Sequence, residues 1–342
     1  MAYTNLTNVA DYDTLLGSLR TFLNTAGWTL RHDLTTPIAG SPGEGSTGRK
    51  LTVQKGDCLA GLRSVTTTNA NRLFLFDGIP ESASPLPSLA SVQADHLNSN
   101  SGIRVTNAQY NQLNEFTSAR YLQIQAGPFP NVYFFTDSPS TYCHVVVEVT
   151  DGVYSHMMFG NLQKYGTWTG GGYYACSRWG TDVVSIDSPT STTHVVPFGT
   201  TATGSVGSEW TLHYESPGSP NTKWVSGNIT AYTHGSVKRA GGRANARGGF
   251  PEPFRNLGQT PFSGVIALSP ATLLVTNLTT PTSYTILGRV PDLRLVNITE
   301  LVPAEEYILG ADTWKVFPYR AKNGGTDLPN SGVYGFAYKK IP

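Results

Sequence analysis

The chain carries little charge. Only 14% of its 342 residues are Asp, Glu, Lys or Arg, and 24 basic residues nearly cancel 23 acidic ones; ordinary globular chains hold about 25% charged residues. A protein whose main task is to coat DNA is excluded, because non-specific affinity comes from neutralising many phosphates with Lys and Arg. Nucleic acid is therefore not an expected partner, and near-neutrality favours association over dispersion. Cysteine is scarce as well. Cys58, Cys143 and Cys176 are widely spaced and odd in number, which fits neither a disulfide framework nor a zinc module and predicts free thiols in a reducing compartment. No apolar run reaches the roughly 18 residues of a membrane span. The opening MAYTNLTNVADYDTLL lacks a basic segment followed by an apolar one, so the chain is expected to be made in the cytoplasm and to stay soluble, without membrane insertion. Sequons beginning at Asn5, Asn228, Asn277 and Asn297 are then chance products of Thr-rich strands.

Signatures of catalysis are missing too. There is no Walker-type phosphate loop, HExxH pair or GxSxG elbow, and no repeat of about 20 to 50 residues that would make a solenoid or propeller. Cys143 and His144 are adjacent in a predicted strand, where successive side chains point to opposite faces, so they cannot form a nucleophile and base pair. Glu305 and Glu306 are adjacent, whereas glycosidase chemistry needs two carboxyls roughly 5 to 9 Å apart across a cleft. No catalytic, cofactor-binding or metal-binding residue is predicted, and the chain reads as a non-enzyme.

What is present is glycine, proline and large rings. With 36 Gly and 22 Pro, long helical patterns are diluted and a bundle or coiled coil is excluded. The 17 Tyr, 14 Phe and 6 Trp supply enough buriable surface to reject disorder. One helix is predicted from Asp11 to Ala26, where Leu15, Leu16, Leu19, Phe22 and Leu23 repeat on one face, with Asp11 or Asp13 as cap and Gly27 as stop. Trp28 then opens a strand, so the chain is expected to begin as helix then strand. Elsewhere short β-rich runs recur every 8 to 12 residues or so, the spacing of a sandwich or barrel. The consecutive Val145, Val146 and Val147 mark a strand covered on both faces.

The predicted fold is mainly β with one N-terminal helix, in several small β-sandwich or barrel-like domains with long loops. Residues 1–79 hold the helix and its strands, 80–120 form a loop excursion or arm, 121–262 a central β domain with Gly- and aromatic-rich loops, and 263–342 a C-terminal β domain. Two segments stand out as candidate interfaces. In the stretch His156–Trp179, the rings of Trp168, Tyr173, Tyr174 and Trp179 surround Gly170, Gly171 and Gly172. They are read as packing on a neighbouring subunit, with a sugar-stacking platform as the alternative. The basic, glycine-rich run containing Arg239, Arg243 and Arg247 is read as a solvated loop that orders on meeting an acidic neighbour.

Near the C-terminus, Gly310-Ala-Asp-Thr-Trp314-Lys-Val-Phe317-Pro318-Tyr-Arg320 and Gly332-Val-Tyr-Gly335-Phe-Ala337-Tyr338-Lys339-Lys340 resemble the endings of structural proteins from tailed bacteriophages. So does Phe159-Gly160-Asn-Leu-Gln-Lys164-Tyr-Gly166-Thr-Trp168-Thr-Gly170-Gly171. The resemblance covers about a tenth of the chain and implies assembly rather than catalysis: a tail baseplate or tail-tip component of the virion, made in the host cytoplasm, forming a symmetric oligomer with copies of itself and other virion proteins. Neck, collar or head-decoration positions, or a receptor- or glycan-binding tail module, are the alternatives. In that role Trp314 and Phe317 belong to the terminal β domain that packs in the assembly.

Overall fold

The structure is a computed structural model that describes residues 2–33, 49–65, 71–78, 120–122, 126–137, 140–179, 197–198, 210–215, 224–226, 267–276, 284–322 and 334–342. The chain is mainly β with a single helix near the N-terminus. It opens with β1 (Tyr3–Val9), α1 (Tyr12–Thr25), β2 (Thr29–Asp33), β3 (Lys50–Lys55), β4 (Cys58–Val65), β5 (Arg72–Gly78) and β6 (Arg120–Tyr121). The middle of the chain supplies β7 (Phe129–Phe135), β8 (Tyr142–Thr150), β9 (Val153–Asn161), β10 (Gln163–Lys164), β11 (Thr169–Cys176), β12 (Arg178–Trp179), β13 (Trp210–Glu215) and β14 (Trp224–Ser226). The last part adds β15 (Ser269–Thr276), β16 (Tyr284–Asn297), β17 (Glu306–Leu309), β18 (Asp312–Pro318) and β19 (Tyr334–Lys340).

These strands make three sheets, and none closes into a barrel. The central sheet runs β1-β7-β8-β9-β11-β13-β14; a helix-side sheet runs β12-β6-β5-β4-β3-β2; a distal sheet runs β10-β16-β19-β18-β17, with β15 also paired to β16. The central sheet is covered on both faces. Along β8, Cys143, Val145, Val147 and Val149 join the core shared with α1 and the helix-side sheet, while Tyr142 and Val146 join the core shared with the distal sheet. The three consecutive valines are thus fully buried on alternate sides, as period-two geometry requires.

The helix forms where its pattern predicts. Asp11 caps it, accepting a hydrogen bond from the Thr14 amide at 2.7 Å, and Tyr12, Leu15, Leu16, Leu19, Phe22 and Leu23 form its buried face. Gly27 follows with φ +80°, a conformation that favours a residue without Cβ. The helix lies against β3, β4 and β5 on one side and β1 and β7 on the other, whereas β9 and β11 touch the helix-side sheet directly. It therefore wedges the two sheets apart at one end. Replacing Asp11 with Ala is expected to cost about 1 kcal/mol, the usual value of a cap, read as a lower denaturant midpoint at unchanged slope.

The chain does not begin as a helix. Tyr3–Val9 pairs antiparallel with Phe129–Phe135 before α1 starts. Its burial pattern is mostly exposed or half-buried, with only Val9 in the core, so an edge strand of this kind carries no apolar alternation to betray it. No helix among the described residues is long and apolar enough to cross a membrane.

Candidate functional site

The segment read as an aromatic, glycine-rich loop is a strand. Tyr173 and Tyr174 in β11 are fully buried and enter different cores, Tyr173 toward the distal sheet and Tyr174 toward the helix-side sheet. Successive residues of a strand point to opposite faces, so the two rings share no platform. Their hydroxyls work inside the fold: Tyr174 accepts from the Leu59 amide at 2.9 Å, and Tyr173 lies 2.8 Å from His144 Nε2. Trp168 is half-buried, donates from Nε1 to the Leu287 carbonyl at 3.3 Å, and has Lys164 Nζ 5.2 Å from its ring centre. Trp179 lies in β12, paired with Arg120. Trp314 and Phe317 are buried on opposite faces of β18. Both rings pack inside the chain's own fold. Arg239, Arg243 and Arg247 lie outside the described residues.

The glycines explain why rings and backbone crowd here. A Cβ on Gly172 would sit 2.4 Å from the Asp57 carbonyl oxygen, and one on Gly170 would sit 2.3 Å from that of His213. The backbone of β11 thus runs close to the β3–β4 turn and to β13, and a register shift falls between Gly170 and Tyr173. Bulges of this sort often bend a strand at such approaches.

His144, His156 and the cysteines are likewise internal. None of the three cysteines is in a disulfide and all are buried, with Cys143 and His144 on opposite faces of β8. His156 sits between the central and distal sheets, 2.9 Å from the Pro318 carbonyl through Nε2 and 2.7 Å from the Tyr338 hydroxyl through Nδ1. A carbonyl only accepts, so Nε2 carries the proton and Tyr338 donates to Nδ1. Burial lowers His144 to about 3 and His156 to about 4, so both are neutral at pH 7. Among the described residues, no three His, Cys, Asp or Glu side chains gather as a metal site.

Two features face solvent. The first is a cleft of about 470 Å³ between the central and distal sheets. It opens where β16 bends: Pro291 cannot donate to a ladder, and Asp292 follows in the left-handed region at φ +48°. Asp292 accepts from the Tyr142 hydroxyl at 3.0 Å, and burial raises its carboxyl above the ordinary range. Asp137, across the cleft, accepts from the Thr141 amide at 2.5 Å and from its hydroxyl at 2.9 Å. Arg289 bonds Gln163 Oε1 at 2.5 Å, and the Arg294 guanidinium lies 5.3 Å from the Trp314 ring centre. The second feature is the β17–β18 hairpin. β17 is the edge strand of the distal sheet, and it presents Ile308 at 80% exposure and Leu309 at 50%, with Val302 nearby in chain at 54%.

No protein-family model and no curated protein matches the chain. The geometry must therefore speak for itself. Of the surface features, the sequence held only a local sign of the cleft, the Pro291-Asp292 pair inside an otherwise strand-like run, while its other walls come from the β7–β8 connection, β9, β10, β15 and β18. The edge position of β17 left no local sign, since it depends on pairing across the sheet.

Proposed function

We propose that this chain is a non-enzymatic structural subunit of a tailed-phage virion, a tail baseplate or tail-tip protein that assembles with copies of itself and with other virion proteins. The phage part rests on the resemblance of the segments 159–171, 310–320 and 332–340. The assembly part rests on the β17 edge. Native sheets usually protect an edge with charge, proline or cover; here Glu306 points toward Lys315 and Lys340, at 3.7 and 2.9 Å, while Ile308 and Leu309 stay in water. An apolar edge with no further partner strand among the described residues suits β-addition by a neighbouring chain.

Light scattering over a range of concentrations, with immunogold labelling of intact particles, tests this reading. A discrete or concentration-dependent oligomer and label confined to one end of a tail support it. Label on the head or neck keeps a virion protein but moves it from the tail, and a monomer absent from particles overturns the proposal. Ile308→Asp with Leu309→Asp is expected to shift association toward monomer by at least tenfold in midpoint concentration while leaving the thermal midpoint of the monomer nearly unchanged. Unaltered association would remove the hairpin from the interface.

A further inference from the structure

We propose that the cleft at the β16 bend binds an acidic saccharide, with Arg289 and Arg294 holding its carboxylate. The two arginines are five residues apart, and in a regular strand such residues face opposite sides. Here both line the cleft. The register explains it: Arg294 pairs with Pro270 and Arg289 with Thr272, so β16 takes five residues where β15 takes two. The extra residues re-aim one side chain, the effect of a bulge. A fold that spends a bent strand and a left-handed aspartate on this spot brings two like charges together, and the proximity of Arg289 adds to burial in lowering the Arg294 guanidinium.

Their charge is answered only in part, by Asp292 and Asp312 acting on Arg294. Asp137 and Asp292 also line the cleft and accept from the neutral groups of Thr141 and Tyr142, but among the described residues neither forms an ion pair with either guanidinium. Arg289 spends its Nε on Gln163, leaving its terminal fork, and Arg294 stacks on Trp314. A guanidinium fork matches a carboxylate in two parallel hydrogen bonds. The remaining wall mixes apolar residues such as Leu162, Pro270 and Val290 with Asp137, Thr141 and Gln163, whose polar groups suit sugar hydroxyls, and the cleft volume of about 470 Å³ falls within the range of small-ligand sites. This inference does not depend on the virion reading, because it concerns the isolated chain.

The test is calorimetric titration of the full chain with an oligosaccharide containing glucuronate and with the neutral counterpart carrying glucose in its place. The acidic ligand is expected to bind at least tenfold more tightly, more weakly as salt rises. Arg289→Gln with Arg294→Gln should lose that preference while the thermal midpoint holds. If the double variant does not fold, Arg289→Lys alone, which keeps the charge and removes the fork, should weaken the acidic ligand severalfold. Equal affinity for both sugars, an affinity for acetate or inorganic phosphate matching the saccharide, or no binding at all would overturn the proposal.

Discussion

Replacing Gly170 with alanine is expected to destabilise the protein by about 2 to 5 kcal/mol, among the largest effects of any single methyl group in this fold. Two costs combine. The backbone at Gly170 has φ +101°, a conformation that costs an L-residue on the order of 1 to 2 kcal/mol. The new Cβ would also lie 2.3 Å from the His213 carbonyl oxygen and 2.8 Å from its carbon, which are backbone atoms of β13 and cannot rotate away. Overpacking of this kind costs typically 1 to 3 kcal/mol. Gly152 separates the two contributions, since its φ is +69° but no atom lies within 4 Å of the added Cβ. Gly152→Ala should cost only about 1 kcal/mol. The comparison is read from denaturant unfolding, and equal losses at the two positions would show that β11 does not pass as close to β13 as described.

Stability is expected to fall as pH drops below about 6.5. His144 and His156 are neutral and wholly buried, with values pushed by burial to about 3 and about 4. In the unfolded chain they titrate near 6.5. Between these limits the unfolded state binds protons that the folded state refuses, so the stability difference is fully present above about 6.5 and is lost as pH decreases toward 4. Each histidine contributes a slope of about 1.4 kcal/mol per pH unit, and the pair about 2.7. Asp292 acts in the opposite sense. Its raised carboxyl favours the protonated folded form, so its contribution is present at low pH and is lost as pH rises through its folded value. Unfolding midpoints at several pH values between 7.5 and 5 measure the net slope. His156→Gln keeps a donor for the Pro318 carbonyl and removes the titration, so it should lower the slope by about half; an unchanged slope would remove His156 as a source.

Much of the fold could be read from local pattern, and what could not has a physical cause. The helix face from Tyr12 to Leu23 and the doubly covered Val145–Val147 are signals of burial, and burial dominates both elements. β1 was missed because Tyr3–Val9 is held by its register with β7 more than by apolar contacts. Gly170–Gly172 read as a loop because glycine has low strand propensity, yet its place in β11 follows from tertiary approach, which no local window contains. Tyr173 and Tyr174 looked like surface rings because the sequence marks aromatic richness but not which sheets cover it. The cleft joins residues from distant parts of the chain, so only the Pro291-Asp292 bend left a trace.

The pairing of the first strand with the seventh bears on how the molecule comes into being on the ribosome. Tyr3–Val9 has no partner strand until Phe129–Phe135 has been made, so β1 must wait through more than a hundred residues of synthesis before it can dock. The far side of the central sheet waits longer still, because His156 meets Tyr338 and Phe135 stacks on Tyr338 at 5.0 Å between ring centres. Until β19 is made, the aromatic face of the central sheet that carries Phe135 and His156 lacks its cover and stands open to other chains.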